Sequence, residues 1–399
     1  MTVWRRLIAL SVLAALVLTT GVAAAQEEEF VFGMVLVGPR DDHGWSEAHY
    51  TAGEYVMAQV PGTRMVYFES LNAADAPETT LEQVVDSMVA DGAKLILTTS
   101  DAFEEDTLAV AQKYPDIIFI NISGDDVLTG EAPPNLGNIM GEMEWGKLIA
   151  GCAAALATET GHIGYLGPLI NHETLRLASS SYLGARYCYE TYEGKDPADL
   201  QFTVTWIGFW FNIPGVTLDP TEEANRLFDA GVDVLISGID TTEAIVEAGR
   251  RAEEGENVWA IPYDYEGACD EAPEICLGVP YFHWGPSYVN TVRAVMDGTW
   301  EQDWLWLGPD WDDINNPDTT NVGFVMGPGL TDEQETVLWA FIDEMAQIAR
   351  GNLRFGLWQG PLNLQDGTPF AVEGRWVSLY DIWYLPQLLE GMAGASVSQ

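Results

Sequence analysis

Short apolar segments alternate with longer amphipathic segments along most of the chain, in two successive series. The apolar segments have the length of buried β-strands, and the segments between them have the apolar spacing of helices. In the first series the predicted strands are 30–37, 65–68, 94–99 and 117–120, and the predicted helices are 46–59, 78–90 and 107–113. In the second series the predicted strands are 162–166, 202–207, 232–237 and 258–262, and the predicted helices are 172–190, 221–229 and 242–252. Apolar strands separated by helices indicate parallel sheets covered on both faces, so the pattern predicts an α/β protein of two lobes.

The two series also match each other directly. Residues 91–101 align without a gap to residues 230–240, and each stretch contains a glycine turn, an apolar strand and a final aspartate before a helix. Asp101 and Asp240 therefore occupy equivalent positions at the carboxyl end of a strand, which is the edge where open α/β sheets bind ligands. An aspartate at such a position is usually a helix N-cap, so the match indicates duplicated lobes and leaves the role of each carboxylate open.

The boundaries of the lobes follow from where the alternation begins and ends. We assign residues 26–141 to the first α/β lobe and 142–298 to the second, with a helix over 142–158 crossing between them. Residues 299–399 form a C-terminal segment that returns to complete the lobes. It contains a predicted strand at 322–326, a helix at 332–349 and a terminal hairpin. The hairpin turn is placed at Asp366-Gly367, because Asp-Gly tolerates the positive φ that tight turns require.

Residues 1–25 are predicted to be a signal peptide. Arg5 and Arg6 precede an apolar run over 7–18, and alanines at 23–25 precede an acidic stretch, which is the arrangement of a secretory leader. The alternative is an uncleaved membrane anchor, although the run is shorter than the about 20 residues that a span needs. We therefore expect an exported protein, in the periplasm or on the extracytoplasmic face of the cell membrane.

Export permits disulfide bonds, and the chain has four cysteines. Cys269 and Cys276 enclose a loop short enough to be bridged. Cys152 and Cys188 fall on two predicted helices and are a candidate second pair, but four cysteines allow three connectivities and the sequence does not choose between them. A zinc site is less favoured, because no paired Cys or His spacing accompanies these residues.

The chain is strongly acidic, and its charge excludes several classes of partner. It has 61 Asp and Glu residues against 17 Lys and Arg residues, a formal net charge of −44 over 399 residues. Such a surface repels phosphates, so nucleic acid, anionic lipid and free nucleotides are unfavourable partners. With 47% hydrophobic and 11% aromatic residues, the chain is too apolar for a disordered acidic protein.

Motifs for catalysis are scarce. The sequence has no nucleophile elbow, no phosphate-binding glycine loop, no His-Glu-x-x-His pair and no glycine fingerprint after a strand. Its five histidines are scattered, and with 61 acids any proposed pair of catalytic carboxylates has little specificity. We therefore predict a protein that binds rather than transforms its ligand, with no cofactor and no metal site.

Aromatic residues at the ends of predicted strands indicate the type of ligand. Trp45 lies in the first loop between a strand and a helix, Trp210 follows a strand of the second lobe, and Trp284 follows the short apolar run 277–279. A tryptophan in a loop is more often a packing residue, but three at sheet edges of both lobes suit the stacking of a planar ligand. Asp42 and Asp264 lie beside them and are candidates to accept hydrogen bonds from ligand N–H groups.

These residues together resemble the basic membrane protein family, the substrate-binding proteins of ABC importers related to the bacterial purine nucleoside receptor. The resemblance runs from about residue 30 to residue 392. It rests on the following segments: 38–45 with His49, Trp206 to Trp210, Tyr263-Asp264, Trp284-Gly285-Pro286, and 359–362 with Asp366-Gly367. It implies a type I periplasmic-binding-protein fold, with two lobes joined by a hinge, and a purine base or nucleoside as ligand.

The resemblance also implies roles for individual positions. Trp45 matches the aromatic stacking residue of the first loop, Asp42 the acid before it, and Trp210 the aromatic residue after the strand of the second lobe. Asp240 and Asp264 match the ends of the next two strands, with Asp264 holding the heterocycle or ribose. An ABC permease in the cytoplasmic membrane is the implied partner.

The chain departs from the family pattern at several positions. Trp284 stands where nucleoside receptors often have a lysine, which favours a ligand the size of a base. Asn121 stands where many relatives have an acid, 211–218 resembles an insertion beside Trp210, and the lipid-acceptor cysteine is missing. The alternatives to a purine receptor are a receptor for a sugar or another small polar solute and, less favoured, an exported hydrolase.

Overall fold

The structure is a computed structural model, and it describes residues 29–351 and 355–397. The predicted signal peptide therefore lies outside the described residues. In chain order the strands are β1 Phe30–Val35, β2 Thr63–Phe68, β3 Ala93–Thr98, β4 Ile118–Ile122, β5 Leu136–Gly141, β6 His162–Gly167, β7 Gln201–Trp206, β8 Val234–Ser237, β9 Trp259–Ile261, β10 Gly278–Phe282, β11 Trp304–Leu307, β12 Val322–Met326, β13 Leu362–Asn363, β14 Pro369–Ala371 and β15 Met392–Ala393. The α-helices are α1 Trp45–Gln59, α2 Leu81–Ala90, α3 Glu104–Lys113, α4 Asp126–Thr129, α5 Met143–Ala157, α6 His172–Thr191, α7 Pro220–Asp229, α8 Glu243–Glu253, α9 Gly285–Met296, α10 Asp332–Arg350 and α11 Leu379–Trp383.

Two separate parallel sheets form the two lobes. The first has the strand order β11-β5-β4-β3-β1-β2 and the second has the order β15-β7-β6-β8-β9. Strands β1, β3 and β4 are almost entirely buried, because helices cover both faces of the sheet. The α/β fold class and the two parallel lobes predicted from the apolar pattern are therefore confirmed.

The C-terminal segment contributes one strand to each sheet. Strand β11 pairs in parallel with β5 at the edge of the first sheet, and β15 pairs in parallel with β7 at the edge of the second. Strands β13 and β14 form an antiparallel hairpin around the Asp366-Gly367 turn, where Gly367 has a φ of 83°. The chain thus crosses between the lobes several times, which is the arrangement of a hinge.

One segment lies on the other side of the hinge from where the sequence placed it. Helix α9 falls within 142–298, the range assigned to the second lobe, but it packs against α1 of the first lobe. The physical reason is that β10 does not join the sheet of the second lobe as a full strand. It pairs antiparallel with β12 and leads the chain back to the first lobe, where Tyr288 and Val292 of α9 are buried in the core.

Helices α5 and α6 form the closest helix pair of the second lobe. Every residue of α5 is buried, and the two helices approach through glycines. A Cβ atom on Gly151 would lie 1.9 Å from the carbonyl oxygen of Ser181, and one on Gly184 would lie 1.9 Å from that of Leu148. Only glycine permits such an approach of two backbones. The Cys152–Cys188 disulfide joins the same two helices.

Local sequence explains where several other helices begin. Thr80 and Thr331 form capping boxes with the glutamines three residues later, so the first backbone N–H groups of α2 and α10 are satisfied. Asp219 caps α7, and Pro220 occupies its first position, where the missing N–H has no cost.

Among the described residues, none of the helices is long and apolar enough to cross a membrane.

Candidate functional site

A narrow cavity lies between the two lobes, at the carboxyl ends of their strands. The first lobe contributes one wall and the second lobe the opposite wall, with about 280 Å³ of space between them, including space open to solvent. The lining residues are Trp45, Ser100, Asp101 and Ser123 from the first lobe and Glu173, Trp210, Asp240 and Tyr263 from the second. Seven of these residues follow a parallel strand or begin the helix after it, which is where α/β sheets bind ligands.

Trp45 is the first residue of α1 and belongs to both the cavity and the core. Its indole Nε1 donates a hydrogen bond of 2.6 Å to the carbonyl oxygen of Thr99, at the end of β3. The edges or faces of His49, Phe282 and Trp284 contact its ring, with centroids 4.6 to 5.5 Å away. The orientation of this tryptophan is therefore set before any ligand arrives.

Trp210 and Asp240 are held next to each other on the second lobe. The backbone N–H of Asp240 donates to the carbonyl oxygen of Trp210 at 3.0 Å, which connects the loop after β7 to the loop after β8. Trp210 is buried although it lies in a loop, and it is not part of the main hydrophobic clusters. The cavity thus receives an aromatic ring and a carboxylate from one connected pair of loops.

Three carboxylates line the cavity, and the closed cleft makes their charges costly. Loss of solvent raises the pKa of Asp101, raises the pKa of Glu173 to about 7, and raises the pKa of Asp240 well above its usual range. For Asp240 the neighbouring carboxylates, Asp264 first among them, raise the pKa further. A ligand that supplies N–H donors or positive charge would compensate this cost.

The lobes are in contact across the cleft, so the structure is in a closed state. The side-chain amide of Asn171, at the start of α6, donates to the carboxylate of Asp101 at 3.2 Å. The hydroxyl of Ser123 donates to Glu173 of the other lobe. Gly44 packs so tightly against the second lobe that a Cβ atom there would lie 1.7 Å from the carbonyl oxygen of Asp240.

Behind the cavity wall lies a fully buried lysine, Lys147, which no pattern in the sequence distinguishes. Lys147 of α5 donates to the carbonyl oxygen of Ser237 at 2.6 Å, and its Nζ is 3.3 Å from the ring centroid of Tyr263. Burial lowers the pKa of Lys147 to about 7, against the opposing effect of Asp264. Asp264 is also fully buried, and burial raises its pKa well above the usual range.

Of the residues proposed from the sequence, the structure brings Trp45, Trp210 and Asp240 to the cavity. Asp264 lies behind the wall, adjacent to the lining residue Tyr263, and neither of its carboxylate oxygens has a hydrogen-bond partner within the described residues. Its backbone has a φ of 72°, a left-handed conformation that aspartate tolerates better than most residues.

Asp42 and Asn121 organise loops of the first lobe and do not line the cavity. The carboxylate of Asp42 accepts hydrogen bonds from the backbone N–H groups of Gly44, Ser46 and Glu47, at 2.9 to 3.0 Å, and so caps α1. The amide of Asn121 donates to the carbonyl oxygen of Ser100 at 2.9 Å. Both residues therefore act on the shape of the site, because they hold the loops that carry Trp45 and Ser100.

Trp284 is a core residue in this structure. It lies within a buried aromatic stack, 4.6 Å from the ring of His49 and 4.7 Å from that of Phe282, with interplanar angles of 19° and 20°. The sequence placed it in the ligand site because it follows an apolar run. However, β10 leads towards the first lobe, so Trp284 is buried beneath Trp45 rather than at the cavity surface.

Five lining residues were not proposed as ligand-binding from the sequence, which left the role of one of them, Asp101, open. The other four are Ser100, Ser123, Glu173 and Tyr263. Ser100 directly precedes Asp101 after β3, Ser123 follows β4, and Tyr263 follows β9, so a strict rule of taking polar and aromatic residues after each strand would have found them. Glu173 lies in the first turn of α6, and among the many acids of this chain nothing in the sequence distinguishes it.

The residues that line the cavity are of the types that bind small molecules. Its lining combines aromatic rings, hydroxyls and carboxylates from two lobes that meet over the ligand space. Within the described parts of the chain, no three His, Cys, Asp or Glu side chains come together in a way that would hold a metal ion. A second disulfide, Cys269–Cys276, closes the loop beside the cleft that carries Glu271.

Comparison with known proteins agrees with this architecture. A solute-binding protein of an ABC transporter system from Aeropyrum pernix K1 superimposes with a TM-score of 0.63 at 17% identity, covering 81% of this chain and 92% of that chain. One from Conexibacter woesei DSM 14684 superimposes with a TM-score of 0.59 at 20% identity, covering 82% and 98%. These similarities establish the fold, which is that of the type I periplasmic solute-binding proteins.

The sequence comparisons identify the family. A purine-binding protein of Brucella abortus (strain 2308) is 29% identical over 357 residues, which are 89% of this chain and 90% of that protein. A Haloferax volcanii protein named as an ABC transporter glucose-binding protein is 28% identical over 290 residues, 73% of this chain and 67% of that protein. The model of the Bmp family, described as ABC transporter substrate-binding protein PnrA-like, matches residues 30–310. The chain therefore belongs to the family of PnrA-like ABC transporter substrate-binding proteins.

Proposed function

We propose that this protein captures a purine base in the cleft between its lobes and delivers it to an ABC permease. The observation that carries the proposal is the pairing of Trp45 and Trp210, one from each lobe, on a single narrow cavity that also contains buried carboxylates. Family membership supports the role of a substrate-binding protein, which acts on the extracytoplasmic side of the cell membrane.

A flat heterocycle suits both kinds of lining group. Its faces would contact the indole rings, and stacking on an aromatic side chain contributes about 1–3 kcal/mol per base. Its edge would present N–H groups to Asp240 and Asp101, whose carboxyl oxygens accept hydrogen bonds. Closure of the lobes excludes water from these contacts, which strengthens the polar interactions.

The size of the cavity favours the base over the nucleoside. The walls of the cavity stand close together in this closed state, and a base needs less separation of the lobes than the larger nucleoside. Trp284 is buried in the core, so the closed cavity is bounded by Trp45 on that side. The name of the purine-binding relative, at 29% identity, is consistent with this ligand class.

A panel of ligands tests the proposal. Thermal unfolding and isothermal calorimetry would be measured with adenine, guanine, hypoxanthine, their nucleosides, and a set of monosaccharides. We expect a purine base to raise the melting temperature and to bind with 1:1 stoichiometry, and chromatography of the incubated mixture to recover it unchanged. Absence of binding by every purine would refute the proposal.

A sugar receptor is the second candidate. Aromatic rings also stack on the faces of pyranoses, carboxylates accept hydrogen bonds from sugar hydroxyls, and one relative is named as a glucose-binding protein. A melting shift with a monosaccharide and with no purine would favour this candidate. Turnover of any compound in the panel would instead favour the exported hydrolase considered from the sequence.

A further inference from the structure

The aromatic and charged groups that line the interlobe cavity all favour positive charge. Three aromatic rings, those of Trp45, Trp210 and Tyr263, stand together with the three carboxylates of Asp101, Glu173 and Asp240, and no Lys, Arg or His is among the lining residues. Aromatic faces attract cations through their quadrupoles, and carboxylates attract cations through their charge. Both kinds of group therefore favour positive charge in the same space.

The nearest basic side chains are occupied elsewhere. Lys147 donates to the carbonyl oxygen of Ser237 and lies over the ring of Tyr263, behind the cavity wall. Arg176 is bound to Glu144 at 2.6 Å, and its closest approach to Glu173 is 3.9 Å. These two cations partly balance the carboxylates around them, but neither enters the ligand space.

Of the three carboxylates that line the cavity, Asp240 is the one whose side chain has no partner among the described residues. It is only 5% exposed, it lines the cavity, and its side chain has no hydrogen bond or ion pair to any residue that the structure describes. By contrast, Asp101 receives the amide of Asn171, and Glu173 receives the hydroxyl of Ser123. A buried carboxylate facing an enclosed space requires either a proton or a positively charged or N–H-donating ligand.

We infer that the ligand of this cleft is a planar nitrogen heterocycle that binds in its cationic form, with its positive edge on Asp240 and its faces on Trp45 and Trp210. The inference rests on the proposed function and names the charge state of that ligand. The site then discriminates by charge: of two heterocycles of equal size and shape, the cation binds more tightly than the neutral molecule.

Two isomers provide a matched test. At pH 7, 1,9-dimethyladenine binds a proton and carries a positive charge, whereas its isomer N6,9-dimethyladenine is less basic and stays neutral. Calorimetry with the full exported protein is expected to show at least tenfold tighter binding of the cationic isomer. Equal affinities, or tighter binding of the neutral isomer, would overturn the inference while leaving the proposed function in place.

Two variants test whether Asp240 causes the preference for the cationic isomer. Asp240→Asn is expected to bind the cationic isomer only about one- to threefold more tightly than the neutral isomer. It should bind the neutral isomer about as well as the wild type does. Asp343→Asn, on the exposed face of α10, removes the same charge outside the cleft and should keep the wild-type ratio. A full preference retained in Asp240→Asn would contradict the assignment. Failure of both isomers and of every purine in the panel would overturn the proposed function as well.

Discussion

Three tryptophans at strand ends have different roles, although the sequence presents them as equivalent. Trp210 lines the cavity from a loop, outside the main clusters of the core. Trp45 lines the cavity and is also part of the core of the first lobe. Trp284 belongs to the core alone, in an aromatic stack with His49 and Phe282. Their substitution by alanine should therefore separate ligand binding from stability.

The first prediction concerns the alanine substitutions of the two tryptophans that line the cavity. Trp210→Ala should weaken ligand binding by about 10- to 100-fold, because about 1–3 kcal/mol of stacking is lost, and it should lower the free energy of unfolding less than Trp45→Ala does, because Trp210 lies outside the main clusters of the core. Trp45→Ala should weaken binding similarly and also destabilise the protein by about 3–5 kcal/mol. Calorimetry and denaturant unfolding measure the two effects.

Trp284→Phe is the matched control for that experiment. It keeps an aromatic ring in the buried stack but leaves a smaller one, so stability should decrease while affinity stays within about twofold of the wild type. A large loss of affinity in Trp284→Phe, or none in Trp210→Ala, would show that the ligand does not occupy the cavity described above.

At the scale of secondary-structure elements, the α5–α6 pair is the most constrained part of the second lobe. Gly151 and Gly184 allow backbone contact between the helices, and the Cys152–Cys188 disulfide connects them across a sequence separation of 36. The Cys269–Cys276 disulfide closes a loop with a separation of only 7. A longer closed loop removes more conformational entropy from the unfolded chain.

The second prediction follows from this difference in loop length. Replacement of Cys152 and Cys188 together by alanine should lower the free energy of unfolding by about 4 kcal/mol, against about 2 kcal/mol for Cys269 and Cys276. Chemical denaturation of the two double variants, each compared with the wild type under oxidising conditions, measures both values. The reverse order would mean that native packing around the bridges outweighs chain entropy.

At the scale of the whole molecule, closure of the lobes depends on contacts between small groups. The tip of the first loop meets the second lobe at Gly44, whose missing Cβ leaves room for the carbonyl oxygen of Asp240. Nearby, His43 is 3.9 Å from Glu271 across the cleft. The closed state therefore involves contacts at positions that do not themselves line the cavity.

The third prediction uses Gly44→Ala to block closure. The added Cβ would lie 1.7 Å from the backbone of the other lobe, so the closed state should be disfavoured and affinity should fall at least tenfold. Small-angle scattering should show that saturating ligand leaves the variant more extended than the wild type. The melting temperature without ligand should stay close to that of the wild type, because each lobe is unchanged.

Gly124→Ala is the control for a clash inside one lobe. A Cβ there would lie 1.9 Å from the side-chain oxygen of Asn121, within the first lobe. This variant should lose thermal stability without ligand, which distinguishes a folding defect from a closure defect. If Gly44→Ala closed normally by scattering, the contact between Gly44 and Asp240 would not control closure.

The sequence by itself determined the fold class, because burial on both faces of a parallel sheet requires strands that are apolar throughout. It also predicted a cleft lined by polar and aromatic groups at the strand ends. The alignment of 91–101 with 230–240 brought out Asp101 and Asp240, and both line the cavity. These inferences agree with the structure because they depend on local periodicity and on the order of strands and helices, and the pattern of consecutive residues determines both.

Only the tertiary structure decided which side chains at those strand ends face the ligand space. Trp45 and Trp284 have similar sequence contexts, yet one lines the cavity and the other is buried beneath it, because β10 pairs with β12 and directs α9 to the first lobe. Lys147 lies in the middle of a helix and meets Tyr263 across more than a hundred residues of chain. Such contacts depend on how distant segments pack, and no local pattern in the sequence encodes that packing.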